Sequence, residues 1–153
     1  MRSKMEEIQV GLGFDAFPRE CTCEGEDISP RIAVGGLRAP YIALILDDAD
    51  APGGTYTHWL LWNVKAADEI PGDVSKVEQP PELEGASQGI TTGRRTGYQG
   101  PCPPSGKPHR YYLKVYGLEG PLELEPGATK EMLMAAMEGR VRQYGEAMAR
   151  FGR

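Results

Sequence analysis

The chain has 153 residues with a formal charge of −5, 40% hydrophobic and 25% charged, which is enough to bury the core of one domain and too little for two. The whole chain, 1–153, therefore reads as a single domain. The net negative charge disfavours nonspecific nucleic-acid binding, and no apolar run approaches the roughly 20 residues that cross a bilayer. The amino-terminal MRSKMEEIQV lacks the apolar segment of a signal peptide, so a cytoplasmic protein with no nucleic-acid partner and no transmembrane segment is expected.

Gly 20 and Pro 13 predict a turn-rich, mainly β chain. Ile8, Val10, Leu12 and Phe14 alternate with polar or glycine positions and predict a first strand. Residues 14–25 read as irregular loop, and 31–34 as a short strand between Ser29-Pro30 and Gly35-Gly36. The run YIALIL over 41–46 is apolar on both parities and predicts a strand buried on both faces. Its even face, Ile42, Leu44 and Leu46, continues to Asp48, a carboxylate on an inward row that needs partners. After the turn at 50–54, THWLLWNV over 57–64 predicts a second buried strand with His58 near its start. A hairpin would bring Asp48 beside His58, raising the imidazole pKa. Residues 65–86 read as a long polar surface excursion, 88–92 as a short strand.

The stretch GYQGPCPPSGKPHRYYLKVYGL, 97–118, joins a rigid proline loop to a strand starting at His109. Strand alternation places His109, Tyr111, Leu113 and Val115 on one face, an imidazole and a phenol where a core face opens under the loop. Residues 122–124 could form one more short strand. The final element reads as a helix from Thr129. Leu133, Met137, Val141, Tyr144, Met148 and Phe151 recur at helical spacing, and Thr129 suits the N-cap.

The three cysteines, Cys21, Cys23 and Cys102, are odd in number and are expected to be reduced and non-ligating. Between Gly85 and Leu118 there is no acid, while Arg94, Arg95, Lys107, Arg110 and Lys114 supply +5. The remaining 22 acids and 12 bases carry −10. A positive region around a histidine-lined pocket suits a small anion. Gly100 to Lys107 is no P-loop, because its prolines remove the N–H groups a phosphate cradle needs. A metal site built from Asp48, His58 and His109 is disfavoured by the phenol and the positive surroundings. There is no G-x-S-x-G of a nucleophilic hydrolase.

Three segments in order, Asp27-Ile28-Ser29-Pro30, then Asp48-Ala49-Asp50-Ala51-Pro52 with His58-Trp59, then Gly100-Pro101-Cys102-Pro103-Pro104 with His109-Arg110-Tyr111, resemble the phosphatidylethanolamine-binding protein family, which includes the Raf kinase inhibitor protein. The chain looks like a short, prokaryotic-type member. Ala49 stands where the family pattern has proline. The resemblance implies an antiparallel two-sheet Greek-key β-sandwich with a C-terminal helix. It also implies a metal-independent pocket lined by Asp48, His58, His109 and Tyr111 with Gly100, and Pro52 and Tyr56 on its rim. The implied function is non-catalytic binding of phosphate or a phospholipid headgroup such as phosphoethanolamine, with no cofactor. The alternatives are inhibition of a serine protease or protein kinase, which would then be a partner, and processing of phosphate esters.

Overall fold

The computed structural model describes residues 5–153. The first four residues, part of the amino-terminal stretch considered above, lie outside the described residues. Among the described residues nine strands and one α-helix follow in the order β1 (Glu6–Glu7), β2 (Gln9–Gly11), β3 (Ile32–Gly35), β4 (Tyr41–Asp48), β5 (Tyr56–Lys65), β6 (Glu69–Ile70), β7 (Ser87–Gln88), β8 (His109–Leu118), α1 (Lys130–Met137) and β9 (Val141–Phe151), with a single 3-10 turn at Arg19–Cys21. Six strands form one sheet in the order β1-β9-β8-β4-β5-β7, and β2-β3-β6 form a smaller one. All pairings are antiparallel except that of β1 with β9.

The large sheet is covered on both faces, which is why YIALIL carries no polar alternation. Ile42, Leu44 and Leu46 of β4 pack with Trp59 and Leu61 of β5 and with Ile32, Val34 and Ile70 of the small sheet. Ala43 and Ile45, on the opposite face, pack with Leu60 and Trp62 and with Leu133 and Met137 of α1. Both tryptophans are fully buried, one in each cluster.

Two bulges in β5 redirect its side chains. Against β4, Ile42 pairs with Val64 but Leu44 with Leu61, and Leu46 pairs with Trp59 but Asp47 with Thr57. The second shift leaves His58 as the extra residue. Simple alternation would send His58 to the helix side with Leu60; the bulge instead turns it to the Trp59 side. Thr57 takes the helix side, where its Oγ1 donates to Asp47 at 2.8 Å.

The carboxyl-terminal element departs from the sequence expectation. The helix stops at Met137, and Val141, Tyr144, Met148 and Phe151 belong to β9. Its deeply buried positions are mostly small or polar: Gln143, Gly145, Ala149 and Phe151. Their size is imposed by the neighbouring chain, since a Cβ on Gly145 would lie 1.9 Å from the Ile8 carbonyl oxygen. Because Gly145 and Ala149 on the buried face are small, Tyr144 and Met148 from the other face combine with Val141 and Phe151 to mimic a helical stripe. Thr129 does cap α1, its side chain accepting from Met132 N.

Three other expectations are revised. Of the strand expected over 8–14 only Gln9–Gly11 forms, as β2 of the small sheet, while the preceding Glu6–Glu7 pairs with β9 in the large one. The excursion over 65–86 is not merely superficial, because it lays Ile70, Val74 and Ala86 into the core. Residues 122–124 form no strand; Leu122 packs under α1.

Candidate functional site

His109 opens β8, and its Nδ1 donates to Asp48 Oδ2 at 2.6 Å. Asp48 and Tyr111 are directly paired across β4 and β8. The second Asp48 oxygen, Oδ1, accepts from Asp50 N at 2.8 Å, so the buried carboxylate is answered on both sides. The adjacent Asp47 points to the other face of the sheet, where Lys130 Nζ lies at 2.7 Å and Lys114 Nζ at 3.5 Å. Consecutive carboxylates thus serve separate purposes: one holds α1, the other orients an imidazole.

His58 is not partnered by Asp48 as the hairpin picture expected. Its Nδ1 donates to the Gln99 carbonyl at 2.6 Å. Burial is the main influence on its pKa, which is lowered rather than raised; the Gln99 carbonyl and the carboxylates oppose it less strongly. The His58 ring meets Tyr111 edge-on at 5.4 Å, and the Tyr56 ring lies 4.8 Å from His58. Tyr56 Oη in turn accepts from the Gln99 side chain at 3.0 Å.

Tyr111 is fully buried, and its hydroxyl has no hydrogen-bond partner among the described residues. Burial, then the nearby Asp48 charge, push its pKa well above the ordinary phenol value, so it is held as a donor. An unanswered buried hydroxyl costs roughly 1–3 kcal/mol.

These groups enclose a cavity of about 170 Å³. Asp48, Pro52, Tyr56, His58, His109 and Tyr111 all line it, together with Cys102, Pro103 and Pro104. That volume is below the roughly 300–1,000 Å³ of drug-sized pockets and suits one small polar group. Gly100, the seventh residue singled out from the sequence, stands behind the wall. Its N–H donates to Asp27 Oδ1 at 2.7 Å, and a Cβ there would lie 2.3 Å from the Cys21 carbonyl oxygen. Asp27 itself adopts a positive φ of 61° and pairs with Lys76 at 3.0 Å.

The cysteine expectation is overturned. Cys23 and Cys102 form a disulfide with Cα atoms 5.4 Å apart, and only Cys21 is free. An odd count leaves room for one bridge, and partners 79 positions apart are matched by tertiary placement that spacing does not reveal. The bridge fastens the pocket wall to the 21–27 segment, where Cys23 N also donates to the Pro101 carbonyl at 3.2 Å. Burial pushes the Cys21 thiol up to about 11, leaving it a poor nucleophile. Sequence reasoning also missed Gln99, whose backbone fixes one imidazole. Its position beside the glycine-proline loop was the available signal.

The family pattern described as phosphatidylethanolamine-binding protein matches residues 11–152. A UPF0098 protein of Pyrococcus abyssi is 42% identical over 157 residues, covering 98% of this chain and 86% of its own. One from Methanothermobacter thermautotrophicus is 43% identical over 137 residues, covering 86% and 85%. Among solved structures, a phosphatidylethanolamine-binding protein homologue from Chlamydia trachomatis, CT736, superposes with a TM-score of 0.85 at 29% identity, covering 97% of this chain and 99% of that one. Escherichia coli YbcL shares the fold, with a TM-score of 0.86 at 24% identity over 96% of this chain and 99% of its own. With a family pattern spanning nearly its whole length and relatives of this similarity, the chain belongs to the phosphatidylethanolamine-binding protein family.

Proposed function

We propose that the cavity binds a small phosphate-type anion, free or as the headgroup of a phospholipid or other phosphate ester, and releases it unchanged. The observation that carries this reading is the Tyr111 hydroxyl, a buried donor with no hydrogen-bond partner among the described residues. Both imidazoles support it, because each commits Nδ1 to a fixed acceptor and keeps Nε2 for another partner. A bound oxyanion could accept from Tyr111 and from each protonated ring. Non-catalytic binding is favoured because both Asp48 oxygens and the Nδ1 of each imidazole are already committed to protein partners, and the one cysteine of the lining is bridged. A cytoplasmic setting, expected from the sequence, would require the Cys23–Cys102 bridge to survive the thiol pool there.

The test is titration of inorganic phosphate, followed by NMR or calorimetry, into wild type, His109→Ala and Tyr111→Phe. Each charged hydrogen bond contributes roughly 1.5–3 kcal/mol, so His109→Ala weakens binding at least about tenfold and Tyr111→Phe less. Equal phosphate affinity in wild type and His109→Ala refutes the site. Release of inorganic phosphate from O-phosphoethanolamine under the same conditions refutes the non-catalytic part.

A further inference from the structure

A second concave surface of about 430 Å³ adjoins the cavity and shares Pro104 and His109 with it. Its charged lining consists of Asp50, Lys107, Arg110 and Arg150 beside His109. The one carboxylate is already committed. Asp50 accepts from Arg110 N and Nε at 2.9 Å and from Arg110 Nη2 at 2.8 Å, which holds its pKa far below the carboxylate range. Arg110 stands directly opposite Arg150 in the β8–β9 ladder, a like-charge placement that costs stability unless answered. Asp50 answers Arg110 alone. Neither Lys107 nor Arg150 has an acidic partner among the described residues. By contrast, Lys76, Lys114 and Lys130, which flank the same framework, are all paired with aspartates.

Unanswered positive charge is thus gathered at the mouth of a cavity whose depth accepts one small group. Resting on the reading that this cavity holds a phosphate-type anion, we propose that its ligand carries a second anionic group on a short linker. That group, a carboxylate or another phosphate, sits between Lys107 and Arg150. The same charges act against a ligand whose second group is a cation, so the groove separates doubly anionic phosphate esters from zwitterionic headgroups. Reversing the sign of one charge beside two cations changes both interactions from attraction to repulsion, and because Lys107 and Arg150 are exposed the difference is weakened by salt.

The experiment compares inorganic phosphate, phosphoglycolate and O-phosphoethanolamine, together with longer homologues of the last two, by calorimetry. Phosphoglycolate or one of its homologues binds at least about tenfold more tightly than the amine of matching length, and the advantage shrinks with added salt. In the Lys107→Ala/Arg150→Ala double variant the advantage falls to within about twofold, while inorganic phosphate changes by less than about threefold. Equal affinity for carboxylate and amine at every linker length, or selectivity surviving in the double variant, overturns the inference and leaves the cavity reading standing. Inorganic phosphate insensitive to His109→Ala overturns the cavity reading, and this inference falls with it.

Discussion

Removing the Cys23–Cys102 bridge tests how far the pocket wall depends on a covalent tie. The bridge spans 79 residues of chain. Restricting a loop of that length in the unfolded state corresponds to about 4.5 kcal/mol of chain entropy, and measured native bridges are typically worth 2–4 kcal/mol. Taking about 3 kcal/mol, and roughly 2–4 °C per kcal/mol for a chain of this size, Cys102→Ser lowers Tm by roughly 10 °C. Both bridged residues are exposed, so a dithiol reductant reproduces the loss in wild type and adds nothing in the variant. Because Cys102, Pro103 and Pro104 line the cavity, phosphate affinity falls together with stability. Cys21→Ser is the control: it is outside the bridge and leaves the reductant response intact. The measurement is thermal unfolding by circular dichroism with and without reductant. A Cys102→Ser melt within about 2 °C of wild type, unresponsive to reductant in both, would refute the assignment of the bridge as a determinant of stability.

Two further outcomes follow from the packing and the charges. Gly145→Ala must push β9 away from the Ile8 carbonyl, 1.9 Å from the added carbon. It should cost several kcal/mol, on the order of 3, in chemical denaturation, and no change in the midpoint would refute the close approach. The His58 pKa is depressed from 6.5 by burial, so its contribution to stability is intact above about pH 6.5 and is lost as pH falls through the lower folded value. His58→Asn therefore removes part of the acid destabilisation, and sulfate, whose charge is constant in this range, reduces the acid loss in wild type. An identical acid-loss curve in His58→Asn would show that the ring is not the titrating group.

The parts of this molecule legible from sequence were those where local pattern and global role coincide. Residues 109–118 read as a strand because aromatic and β-branched residues follow a proline loop, and β8 has those bounds. Its alternation placed His109 and Tyr111 with Leu113 and Val115, as observed in the core. What failed was the inference from spacing alone where a neighbour decides. The stripe from Val141 to Phe151 fits a helix on paper, but Gly145, Ala147 and Ala149 are the face that lets β9 pack. The partner of Asp48 was misjudged because His109 of β8 takes its Oδ2 and the Gln99 carbonyl takes His58 Nδ1, contacts between segments far apart in sequence. The disulfide and the role of Gln99 depend on contacts across distant segments, for which no local pattern exists.

The position of β9 between β8 and β1 also governs when the pocket can come into being. Ribosomes deliver β1 long before β9, and the two lie side by side in the sheet. Until β9 is made, β8 has β4 on one side and no ladder on the other, with His109 and Tyr111 facing Phe151 and Ala149 that do not yet exist in the chain. The binding site is therefore completed only after β9 is synthesised, and the nascent chain carries an open β8 edge of ten residues until then. Such long-range closure slows folding, so assembly of the pocket and aggregation through that edge compete in time, with the arrival of β9 deciding the outcome.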